Sequence, residues 1–135
     1  MGSYAVNYVA IIVAAIANMV VGYIWYSPMV FGKTWMKMMG KKEMGKKDSM
    51  PMMMGIGYIS SVVMAYVLAI FIQLNGAATP LAGAMTAFWA WLGFVATVTL
   101  GSVLWEGKSI QLWVLNAAHY LVGMAVMGAI LSAWH

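Results

Sequence analysis

Four long apolar runs, separated by short polar links, account for most of the chain. They lie at about residues 4–26, 52–73, 81–105 and 110–134. Each reaches the roughly 20 mostly apolar residues that a helix needs to cross a hydrocarbon core. The links predict how they are joined. Asn75-Gly76-Ala77-Ala78-Thr79-Pro80 is a short turn with proline suited to the first turn of the next helix, and Glu106-Gly107-Lys108-Ser109 is a second tight turn. Short links make successive helices antiparallel neighbours. The pattern therefore predicts an all-α membrane protein, a four-transmembrane-helix antiparallel bundle filling residues 1–135 as one integral membrane domain.

The remaining segment, a basic loop over 28–51, has a pattern of its own. Tyr23, Trp25 and Tyr26 mark a membrane–water interface, and Pro28 ends or bends the first helix at Ser27. Beyond it Phe31, Trp35 and Met38 recur at helical spacing, with Lys33, Lys37 and Lys41 on the opposite side. This spacing predicts a short interfacial amphipathic helix between the first and second spans, its lysine stems snorkelling to headgroups. Lys33, Lys37, Lys41 and Lys42 are the candidate contacts to anionic lipid headgroups.

Charge adds orientation. All seven basic residues are lysines, six of them between the first two runs and the seventh, Lys108, between the third and fourth. The positive-inside bias makes both lysine-bearing links cytoplasmic and puts both termini outside. A hydrophobic fraction of 64% against 7% charged, with mean hydropathy +0.88, leaves no room for a separate soluble domain. The net charge of +4 is read as orientation and lipid contact, and no base-reading motif suggests nucleic acid. Ala15-Ile16-Ala17 resembles a signal-peptidase site, but no positive residue precedes it and apolar character continues to Ile24, so a retained helix is expected.

Candidate chemistry is sparse. With no cysteine there is no disulfide, thiolate site or cysteine nucleophile. Fifteen methionines read as flexible packing rather than a copper(I) path, since no histidine or cysteine accompanies the clusters. No paired carboxylates, buried-acid triad or zinc motif occurs, so neither catalysis, a metal nor a cofactor is expected. One constellation stands out by depth. Asn18, Ser61, Thr97 and His119 each lie about nine residues from the lysine-side end of their helix, roughly 13–14 Å at helical rise. Asn116 lies one turn from His119 on the same face. Such a midplane polar layer is either interhelical glue or the lining of a small channel or transporter, with His119 its ionisable member. Glu106 beside Lys108 reads as a local ion pair at the turn.

Small residues repeat every four positions on all spans: Ala10, Ala14, Asn18 and Gly22; Gly57, Ser61, Ala65 and Ala69; Gly93, Thr97 and Gly101; Ala125, Ala129 and Ala133. In lipid such faces permit the close backbone approach that drives helix association. They predict a tight bundle and, where a stripe is left over, a homo-oligomer or contact with another membrane protein.

The residues Trp25-Tyr26-Ser27-Pro28, followed by Phe31-Gly32-Lys33 and Trp35-Met36, resemble the N-terminal signature of the domain of unknown function 1761 family. Trp105-Glu106-Gly107-Lys108, Asn116-Ala117 and Met127-Gly128-Ala129-Ile130-Leu131 are similar to its C-terminal half. The resemblance implies a small four-helix protein of the bacterial inner membrane, with no assigned activity. It also groups Trp25, Ser27, Phe31, Gly32, Trp35 and Glu106 as a candidate motif on the cytoplasmic face, competing with the midplane layer as the functional locus.

Overall fold

Three of the long helices start on a side-chain cap. Asn7 accepts from the Ala10 amide at 3.2 Å, Thr79 from Ala82 at 3.1 Å, and Ser109 from Leu112 at 3.1 Å. These oxygens occupy amides that have no partner within the helix. The computed structural model describes residues 6–27, 29–39 and 50–134. They form α1 (Tyr8–Trp25), α2 (Gly32–Met39), α3 (Met50–Asn75), α4 (Pro80–Leu104) and α5 (Ile110–Ala133). All except α2 are long and apolar enough to span a membrane, and no strand occurs among the described residues. The expected stop at Pro28 and the expected lipid contacts at Lys41 and Lys42 lie outside the described residues.

α3 ends in a glycine-dependent reversal. Gly76 adopts φ 68°, its amide donates to the Gln73 carbonyl at 3.1 Å, and the Ala77 amide reaches back to Ile72 at 3.1 Å. A side chain other than hydrogen is disfavoured at that φ, and the two bonds satisfy carbonyls that the helix end would leave bare. Gly107, φ 72°, turns the chain between α4 and α5 in the same left-handed region. Asn7, Ala77 and Trp134 consequently line one recess at the end carrying both termini. Trp35, Glu106 and Lys108 gather at the opposite, lysine-bearing end.

α5 is the hub: it packs most extensively on α4, then on α1, while α1 also covers α3. Near the terminal end these contacts are backbone-close. A Cβ added at Gly83 of α4 would strike the Gly128 carbonyl of α5, and one at Gly128 would strike the Gly83 carbonyl. Around this contact the core is built from Ala10, Ile11 and Ala14, from Ala65, Leu68 and Ala69, and from Met127 and Leu131. Alanine and glycine bring the helices together so that dispersion, rather than exclusion of water, holds them.

The register of α4 changes partway. From Gly83 and Ala87 an unbroken α-helix would next turn residues 90, 94 and 97 inward. Instead α4 widens into a π-helical stretch at Trp91–Ala96. A π turn adds a residue and rotates everything after it by about 100°. Phe94 and Val98 accordingly face out, 67% and 72% exposed, while Ala96 is buried and Val95 and Thr99 are half-buried. The Trp91 indole N–H spans to the Ala117 carbonyl of α5 at 2.8 Å, anchoring the widened segment.

Candidate functional site

The chain leaves α1 through a corner held by backbone bonds. Phe31 N–H donates to Trp25 at 3.0 Å, and the Val30 and Gly32 amides donate to the Ser27 carbonyl at 3.1 and 2.8 Å. The Ser27 hydroxyl returns to the Ile24 carbonyl at 2.8 Å. Gly32 is buried against this turn: a Cβ there would overlap the Tyr26 carbonyl and crowd Ser27. Phe31 folds back onto Trp25, ring centroids 4.8 Å apart, and Trp35 meets Tyr26 edge-on at 5.7 Å. Trp25, Ser27, Phe31 and Gly32 thus build the corner itself. α2 then presents Lys33 and Lys37 outward, with Trp35 turned inward beside the bundle.

Tyr26 links this corner to α5. Its phenol donates to Asn116 Oδ1 at 2.7 Å, and its ring lies 5.0 Å from that of His119. Tyr120 and Trp25 also approach His119, at 5.1 and 6.2 Å. The two His119 ring nitrogens and the Trp25 indole nitrogen are buried and find no hydrogen-bond partner among the described residues. Gly22 of α1 makes this fit, since a Cβ there would stand 3.1 Å from His119 Nε2.

The polar groups at equal depth fall into separate arrangements. Asn18 Nδ2 donates to Ser61 Oγ at 2.8 Å, joining α1 to α3, and the Asn18 carbonyl oxygen sits where only glycine fits at Gly123. Asn116 belongs with Tyr26, and His119 lies in its nest of rings. Thr97 stands apart: it is exposed and its hydroxyl donates to the Gly93 carbonyl of its own helix at 2.7 Å. Counting residues placed Thr97 at the right depth, but the π turn rotates it away from the bundle.

Beyond the corner a half-open cavity of about 580 Å³ opens toward the lysine-bearing end. Trp35 of α2, Trp105 at the end of α4, and Trp113 and Tyr120 of α5 supply its aromatic walls. Val98 and Leu112 add apolar surface, while Asn116, Ser102, Glu106 and Lys108 bring polar groups. Trp113 donates its indole N–H to Thr99 Oγ1 at 3.2 Å, and that hydroxyl donates to the Val95 carbonyl at 2.6 Å, so this wall is fixed to α4. Glu106 and Lys108 do not form the expected pair. Among the described residues neither has an ion-pair partner within 4.0 Å. Gly107 between them turns the chain, and the Lys108 amide is drawn back to the Ser102 carbonyl at 3.1 Å.

Of the motif residues, Trp35 and Glu106 therefore share the cavity while the other four shape the corner behind it. Tyr26, Thr99 and Trp113 are not among the candidate site residues that the sequence suggests. Tyr26 lies within the Trp25-Tyr26-Ser27-Pro28 motif, which is the available signal, but nothing local links Thr99 to Trp113. Among the described residues no group of three or more histidine, cysteine or acidic side chains could hold a metal ion.

No curated protein and no solved structure matches the chain. A family model does, over residues 9–132, described as protein of unknown function (DUF1761). The match takes in the corner, both turns and all four long helices, and the chain belongs to the DUF1761 family.

Proposed function

We propose that this chain acts in the bacterial inner membrane as a small interaction protein that self-associates, or docks on another membrane protein, and performs no catalysis. One observation carries the reading. The small-residue stripes of α1 and α3 are consumed inside the bundle, with Ala10, Ala14, Ala65 and Ala69 all buried. The stripe of α4 is not: among the described residues Gly93 has no neighbour within 4 Å of an added Cβ, and Thr97 beside it is exposed. An open glycine–threonine face in lipid is suited to close approach by another helix. A conduit through the midplane layer finds less support, because Asn18 and Ser61 bond to each other and Thr97 faces away.

In this reading the lysine-bearing end is cytoplasmic, both termini are outside, and Lys33 and Lys37 on the exposed side of α2 meet anionic headgroups. Native mass spectrometry of the full chain released from nanodiscs tests association. The expected result is a defined oligomer that Gly93→Leu converts to monomer. A wild-type monomer that co-purifies with no other membrane protein would sink the reading. So would an oligomer indifferent to both Gly93→Leu and Thr97→Leu. A terminal tag that reacts only from the cytoplasmic side would refute the orientation.

A further inference from the structure

The cavity at the lysine-bearing end has a composition that the association reading does not use. Its volume of about 580 Å³ falls within the roughly 300–1,000 Å³ range of small-ligand sites. Tryptophan at a membrane interface is ordinarily an anchor, and the exposed Trp105 taken alone fits that role. An anchoring belt does not explain why Trp35, from a separate helix, closes on Trp113 and Tyr120 around one space. Nor does it explain two opposite charges on the same lining that have no ion-pair partner among the described residues.

We propose that this cavity binds a zwitterionic ligand joining an ammonium group to a phosphate, the headgroup chemistry of ethanolamine- and choline-type phospholipids. Glu106 and Lys108 both line the space, and neither satisfies the other. A bare cation would be attracted by Glu106 and repelled by Lys108; a bare anion would meet the reverse. A ligand carrying both charges meets a complement to each. The ammonium end gains in addition from the indole and phenol faces, which attract cations through their ring quadrupoles. Lys108 supplies a point charge for the phosphate. Val98 and Leu112 continue the lining as apolar surface, so the cavity lies where an apolar span gives way to a charged turn. A lipid presents its headgroup and first methylenes in the same order. The site is formed within one chain and does not depend on self-association.

The test uses the full-length protein in nanodiscs containing equal parts of phosphatidylethanolamine, phosphatidylcholine and phosphatidylglycerol. Lipids retained after release are counted by native mass spectrometry. The zwitterionic lipids are expected to be retained about three- to tenfold over the anionic one. Glu106→Gln and Lys108→Gln should each erase that preference; both side chains are exposed, so helical content should be unchanged. A second arm adds soluble phosphocholine to the protein in pure phosphatidylglycerol nanodiscs and follows tryptophan emission. A saturable change lost in Glu106→Gln would mean that the headgroup chemistry is taken from solution as well. No change, together with preferential lipid retention, would mean that the bilayer is the source. Preferential retention of phosphatidylglycerol, or a zwitterion preference that survives both substitutions, would overturn the proposal. So would no response in either arm.

Discussion

The two ends of the bundle are built from the same apolar alphabet and solve different problems. At the terminal end, Gly83 and Gly128 bring α4 and α5 into backbone contact, and alanines close the space around them. At the lysine-bearing end the same two helices face each other across a cavity with bulky indoles on its walls. The π-helical stretch at Trp91–Ala96 lies between these regimes. Above it α4 directs small residues inward; the rotated register supplies Val95 and Ala96 at its end and Thr99 below it. One inserted residue thus separates a stretch given to holding the bundle together from a stretch free to hold something else. Helix widening of this kind is often found where function requires it.

The largest expected effect comes from filling the close contact. Gly83→Leu would push its side chain into the Gly128 carbonyl and Ser132, where neither backbone can yield, so the helices must part. Overpacking of this kind costs about 3 kcal/mol or more. Gly93→Leu makes the same change ten residues along α4, in open space. Its monomer stability should hold within about 0.5 kcal/mol, or rise because leucine favours helix more than glycine does. Thermal unfolding of both variants in one detergent compares the two regions directly. Equal losses would mean that the lysine-bearing half is as tightly packed as the other.

Next in size is the corner. Gly32→Ala places a methyl against the Tyr26 carbonyl, so α2 must lift from the end of α1. The cost expected is about 1–3 kcal/mol, confined to the corner. The amides of Phe31 and residue 32, which bond to Trp25 and Ser27, should exchange hydrogen about 10- to 100-fold faster. Protection at Ala65 and Ala69, far from the corner, should not change. Acceleration at both places would mean that the two ends unfold as one unit.

How much of this could be read along the chain depends on the kind of information each feature needs. The four long helices and amphipathic α2 follow from hydropathy and periodicity, which are local. The Asn18–Ser61 bond follows from equal depth on neighbouring helices, a short inference from local counting. Thr97 shows where counting fails. A π turn changes no residue's hydropathy, only the phase of those beyond it, so equal depth did not put Thr97 on the inner face. Asn116 was found by depth, but its partner Tyr26 lies 90 positions away across the corner. The cavity was least accessible, because it arises from how far α4 and α5 diverge. That Glu106 and Lys108 do not pair with each other depends on the turn at Gly107.

Two hydrogen bonds calibrate the middle of the scale. Tyr26→Phe removes the donor to Asn116 and leaves a half-buried carbonyl oxygen unmatched, for an expected loss of about 1 kcal/mol. Asn18→Ala removes the bond to Ser61 and should cost about 0.6 kcal/mol, a typical value for polar contacts between membrane helices. Steric trapping in bicelles resolves differences of this size. A reversed order would place more of the cohesion in the midplane than in the corner.

The smallest effect is expected at the most conspicuous side chain. His119 is the ionisable group deepest among the rings, yet among the described residues neither nitrogen has a partner, nor has the neighbouring Trp25 indole nitrogen. A buried polar atom without a hydrogen bond opposes folding, and replacing it by an apolar group of similar reach removes that opposition. Leucine would keep much of the contact with Trp25, Tyr26 and Tyr120 while introducing no polar atom. His119→Leu should therefore leave stability within about 0.5 kcal/mol of wild type, or raise it. Measured beside Asn18→Ala by the same trapping assay, it separates two roles that depth along the helix made look alike. If His119→Leu loses as much as Asn18→Ala, the imidazole is hydrogen-bonded in the membrane, and a water or ligand group must enter the aromatic nest to reach it.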